Sequence, residues 1–118
     1  FIPQYIKRLY YQSYVEMGNA MLSRSLPEDA LLYFKKARVL LSDDPSVFVG
    51  LGKAYMVKGS CAEAKDSYSE ARKRDEHNIF VLVQLAKIAK DCERDDDGYK
   101  LYQQLLEEEQ KRREPLFN

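Results

Sequence analysis

Residues 45–78 read PSVFVGLGKAYMVKGSCAEAKDSYSEARKRDEHN, and two helical stripes lie within them. Phe48, Leu51, Gly52 and Tyr55 recur at i, i+3, i+4 and i+7, which is one face of a helix. Cys61, Ala64, Tyr68 and Ala71 form a second stripe. Between the two, Gly59 supplies the left-handed backbone that ends a helix. Ser60 is placed to cap the next helix, and Glu63 completes a capping box. In front, Asp44 is a good N-cap and Pro45 suits a first helical turn.

Shifting the chain by 34 residues lays this stretch on its neighbours. Gly18 falls on Gly52, Ala30 on Ala64, Phe34 on Tyr68 and Ala37 on Ala71. Tyr14 falls on Phe48 and Met17 on Leu51. A further step reaches Leu82, Leu85, Ala86, Gly98, Tyr102 and Leu105, with Asn78 as the cap that matches Asp44. Three copies follow, at 11–44, 45–78 and 79–112 of one domain spanning 1–118. Each copy is a pair of helices. Small residues at Gly18, Gly52 and Ala86, and at Ala30, Ala64 and Gly98, are expected to let paired helices approach closely. One pair cannot bury both of its faces, so stacking creates the core. The expected class is all-α, a solenoid of antiparallel helix pairs.

The ends depart from the period. Tyr10 stands where a cap is due, so the first helix is expected to run over about 3–24, with residues 1–10 as a helical extension. The last helix is expected to start near 95–97, to carry the charge run 107–113 as a solvated extension, and to stop before Pro115, with 107–118 forming a charged helical extension and tail. No polar capping helix follows it within these 118 residues, so Leu101 and Leu105 are expected to face another chain, a further repeat or a second copy. The chain opens on Phe1 and not Met, which leads us to expect a fragment or a processed piece.

Composition narrows the function. The 118 residues carry 19 Lys plus Arg and 19 Asp plus Glu, a formal net charge of zero. That balance excludes capture of nucleic acid or an anionic membrane by whole-domain charge. No apolar run approaches the roughly 20 residues of a membrane span. Cys61 and Cys92 read as two free thiols, and the expected location is a reducing cytoplasm or nucleus. His77 is the single histidine and lies in a polar loop, so neither a Cys/His nucleophile pair nor a zinc site is expected. Asp95-Asp96-Asp97-Gly98 has a calcium-loop flavour, but the twelfth position is Gln104, where a bidentate Glu is needed. It reads as a capping turn. No cofactor, no metal and no catalytic site are expected, and the chain does not read as an enzyme.

The repeat resembles the tetratricopeptide repeat family. Phe48-x-x-Leu51-Gly52-x-x-Tyr55 with Ala64-x-x-x-Tyr68, and Tyr14-x-x-Met17-Gly18-x-x-Met21 with Ala30-x-x-x-Phe34, follow the family pattern over nearly the whole chain. Tyr14, Phe48 and Leu82 stand where the family has Trp, and Ala89 stands where it has Tyr. The resemblance implies a right-handed superhelix whose first helices line a concave groove. Carried over position by position, that groove is a ladder of Val15, Val49 and Val83, then Asn19, Lys53 and Lys87. Beside it lie Glu16, Gly50 and Gln84, then Leu22, Met56 and Lys90, with Val57 and Phe80 adding apolar surface. The implied function is a non-catalytic scaffold that holds a partner's peptide or helix, with lysines for an acidic group. Chaperone-binding members clamp a terminal carboxylate with a set of Lys and Asn. Here Asn19 matches, whereas Val15, Gly50, Phe80 and Gln84 do not, so no such clamp is expected. The alternatives are an RNA-binding helical repeat, drawing on Lys53, Lys87, Lys90 and nine tyrosines, and a structural or self-associating segment of a longer array.

Overall fold

The computed structural model describes residues 1–114, and all regular structure in them is helical. Six α-helices follow in order: α1 (Gln4–Ser23), α2 (Pro27–Leu40), α3 (Pro45–Lys58), α4 (Cys61–Arg74), α5 (Ile79–Lys87) and α6 (Asp96–Arg113). A single π turn, Ile88–Cys92, continues α5. Each helix packs against the next one in the chain, and α1 also meets α3. No helix among the described residues is long and apolar enough to cross a membrane. Residues 115–118, the end of the expected tail, lie outside the described residues.

The helix limits follow from local chemistry. Asp44 Oδ1 accepts from the Ser46 amide, and Asn78 Oδ1 from the Val81 amide, at 3.1 and 3.2 Å. Asp95 Oδ1 accepts from the Gly98 amide at 3.0 Å, so the acidic turn is a cap. Gly59 ends α3 in the left-handed region at φ 85°. Ser60 corrects the expectation of a capping box, because its side chain makes no cap hydrogen bond. Gly98 is also reassigned. A Cβ there would meet the Asp95 carboxylate at 2.5 Å, so its smallness serves the cap and not the approach of two helices.

Burial repeats at the expected stride. Ala30, Phe34 and Ala37 on α2 are buried, as are Ala64, Tyr68 and Ala71 on α4. Val47, Leu51 and Ala54 on α3 match Val81, Leu85 and Ile88 in the same way. Their counterparts one stride earlier, Ser13, Met17 and Ala20, are exposed on α1, because no described helix packs on that face. The glycines sit where rings fill the gap. A Cβ at Gly18 or Gly50 would come within 2.6 or 2.5 Å of Phe34, which is wedged between α1 and α3. Gly52 stands in the same relation to Tyr68. Burial pushes the Tyr68 phenol up to about 12.

One arginine ties three elements together. Arg74, at the end of α4, lays its guanidinium 4.1 Å from the Phe48 ring centre on α3. Its Nε donates to the Ser42 carbonyl after α2 at 2.8 Å, and its Nη1 donates to Glu70 within α4.

The third copy differs. Ser25 and Gly59 both have positive φ and are 34 residues apart, but the next such residue is Arg94, 35 beyond Gly59. The π turn lies directly before it and accommodates the added residue, as an i→i+5 turn does. Ala89, the departure from the family pattern, is buried inside that turn. Tyr102 still packs against the core. Leu101 is half exposed, as expected, and Leu105 is partly buried.

Two expectations are overturned here. Cys61 and Cys92 are not free thiols but form a disulfide, because the start of α4 and the end of the π turn bring their Cα atoms to 6.4 Å. Glu109 is not a solvated charge but is buried. It accepts a hydrogen bond from His77 Nδ1 at 2.5 Å, and Arg112 lies 3.5 Å from its other oxygen. The His77 hydrogen bond, with the charges of Arg112 and Arg113 behind it, holds the Glu109 carboxyl below the usual carboxylate range.

Candidate functional site

Five of the expected groove positions, Gly50 among them, meet in one depression of about 370 Å³. Val15 and Asn19 come from α1, and Val49 and Lys53 from α3. Asp75 and Asn78, from the connection before α5, close its far side together with Pro45, Ser46 and Gly50. Val15 and Val49 are partly buried against the core and form an apolar floor. Asn19 and Lys53 are exposed above it. Gly50 contributes backbone here because its Cα is pressed against Phe34.

Lys53 is held in place by an aromatic ring. Its Nζ lies 4.9 Å from the centre of the Phe80 ring, and Phe80 meets Tyr68 edge-on at 6.1 Å. The cation thus rests on a ring that is itself braced by the core. Phe80 does not line the depression, but it sets where Lys53 stands.

A second depression, about 400 Å³, gathers Val83, Lys87 and Lys90. Ala86 and Asp91 join them, and α6 supplies Tyr99, Gln103 and Leu106. Lys90 Nζ lies 5.3 Å from the centre of the Tyr99 ring, and Gln103 donates to the Tyr99 hydroxyl at 3.1 Å. Lys87 makes no ion pair with another described residue.

The remaining candidates fall outside both depressions. Leu22 and Met56 are partly buried against the core, Glu16 and Val57 are exposed, and Gln84 is partly buried. Sequence reasoning had not picked out the α6 wall of Tyr99, Gln103 and Leu106. Tyr99 and Gln103 are four apart and share a helix face, a signal that was available once α6 was placed.

Both depressions mix apolar residues with both signs of charge, Val15 and Val49 beside Lys53 and Asp75 in the first, and Val83 and Leu106 beside Lys87, Lys90 and Asp91 in the second, so they offer contacts to aliphatic side chains and to polar backbone groups. His77 belongs to neither. Its Nδ1 faces Glu109 and its Nε2 lies 3.3 Å from Glu76, so both ring nitrogens are engaged by carboxylates. The ring therefore holds α6 to the α4–α5 connection. Among the described residues no group of three or more His, Cys, Asp or Glu side chains is arranged to hold a metal ion. No family model matches the chain, and no curated protein matches it.

Proposed function

We propose that this chain is a non-catalytic protein-interaction module, a tetratricopeptide-like solenoid that holds a partner's peptide or helix along its inner face. The observation that carries this reading is the first depression. Val15, Asn19, Val49 and Lys53 lie on two helices and are groove positions that the tetratricopeptide resemblance implies, and they line one depression. A surface that sets the apolar Val15 and Val49 beside the Lys53 ammonium and the amides of Asn19 and Asn78 suits a polypeptide segment with aliphatic and polar side chains better than a small molecule, which needs enclosure. The recurrence of buried positions at the same stride supports the repeat architecture. The RNA reading is the weaker one, because Lys53 and Lys90 rest on aromatic rings and the overall charge is balanced.

The structural reading also has support. The depression beside α6 lies on the last helix pair among the described residues, and no further described helix packs there. A helix from another chain or repeat fits there, and that occupant is compatible with the first reading.

The test is a peptide-display selection against the chain, followed by binding of the selected peptides to Lys53→Glu/Lys87→Glu and to Lys35→Glu, a control on α2. Selected peptides are expected to be acidic and to bind the double variant at least about tenfold more weakly, a loss of about 1.4 kcal/mol. Unchanged binding to the double variant together with loss in the α2 control would reject the groove.

A further inference from the structure

Cys61 is the first residue of α4, and Cys92 is the last residue of the π turn. Cys92 is exposed, whereas Cys61 is partly buried. We propose that the disulfide between them is a reversible thiol–disulfide exchange site, open to a dithiol reductant, that sets the conformation of the π turn.

The chemistry follows from the unequal surroundings of the two sulfurs. An incoming thiolate reaches the exposed Cys92 Sγ and bonds to it. The Cys61–Cys92 bond breaks, and its electron pair stays on Cys61 Sγ. That atom belongs to the first residue of a 14-residue helix, where the dipole and unpaired amides stabilise a thiolate. Ser60 leaves those amides without a side-chain acceptor. The second thiol of the reductant then displaces Cys92. The dithiol becomes a disulfide, and the protein gains two electrons and two protons.

The turn is where this exchange takes effect. Glu93 N donates to the Ile88 carbonyl and Asp95 N to the Ala89 carbonyl, at 3.0 and 2.8 Å, and these wide-turn bonds are less favourable than those of an α-helix. The disulfide and the Lys65–Glu93 ion pair, at 2.8 Å, tie the same turn to α4. Opening the disulfide leaves the C-terminal end of the turn tied by the ion pair, while Ile88 at its start stays buried in the core. Lys90 and Asp91 belong to the turn and line the second depression, so its wall moves with it. The link to the groove rests on the function proposed above, whereas the exchange chemistry stands without it.

The experiment uses the full chain oxidised with glutathione disulfide, the same chain reduced with dithiothreitol, and Cys61→Ser. Thiols are counted by mass-mapped alkylation, and amide exchange is followed by peptide. Two thiols are expected to appear on reduction and to disappear on reoxidation. Exchange across 88–95 is expected to rise about tenfold in the reduced chain and in Cys61→Ser, with α1 to α3 unchanged. A brief pulse of reduced glutathione, quenched in acid, is expected to leave the adduct on Cys92. Failure to form the disulfide, unchanged exchange across 88–95, unfolding of the whole chain on reduction, or an adduct on Cys61 would each overturn the proposal. A groove that survives Lys53→Glu/Lys87→Glu would reject the peptide reading and leave these outcomes untouched.

Discussion

Phe34 is fully buried and stands between two glycines on different helices, so the ring has no side to retreat to. Gly50→Ala is expected to cost about 1–3 kcal/mol, the range for overpacking a filled core. Gly59→Ala makes a useful contrast. A Cβ there meets nothing within 4 Å, but the backbone is left-handed, so the cost is conformational and about 1 kcal/mol. Urea unfolding of the two variants checks both values, and a neutral Gly50→Ala would mean that the ring has room after all. The glycines at 18 and 52 were legible in the sequence because the stride aligned them. Gly50 was not recognised as a contact, since its counterparts are Glu16 and Gln84.

At the scale of elements, α6 is held differently from the other helices. Its buried side chain is an acid, Glu109, bonded to His77 on the α4–α5 connection. The folded carboxyl titrates below its ordinary range, so its contribution to stability is present above that range and is lost as pH falls through the lowered value. Urea midpoints measured from about pH 6 down to about pH 3 are therefore expected to fall more steeply for the native chain than for Glu109→Gln. Parallel pH profiles would remove the His77–Glu109 bond from the account of how α6 is docked. The helix limits could be read in advance because caps and stripes are local. The role of Glu109 was hidden in a run of like residues, although it stands 34 residues beyond Asp75 and 68 beyond the buried Leu41. The disulfide was hidden for another reason. It depends on the π turn, and no sequence period announces a turn that breaks the period.

Across the whole molecule, apolar burial is greatest in the middle helices and small in the two outer ones, α1 and α6. α3 buries Val47, Phe48, Leu51 and Ala54 along with two glycines, whereas among the described residues α6 buries Glu109 alone. Amide exchange under weak denaturant is expected to open α6 first, at least about 1 kcal/mol below α3 and α4. One common opening energy for all helices would show that the chain unfolds as a single unit. The opposite end of the scale is Arg74, whose one planar group stacks on α3 and also bonds to the chain leaving α2. Lysine has the same charge but neither the plane nor the fork. For drift in related sequences, this makes a partly exposed site near a loop as unforgiving as a core position. An exchange that substitution tables score as mild would there loosen three helices at once.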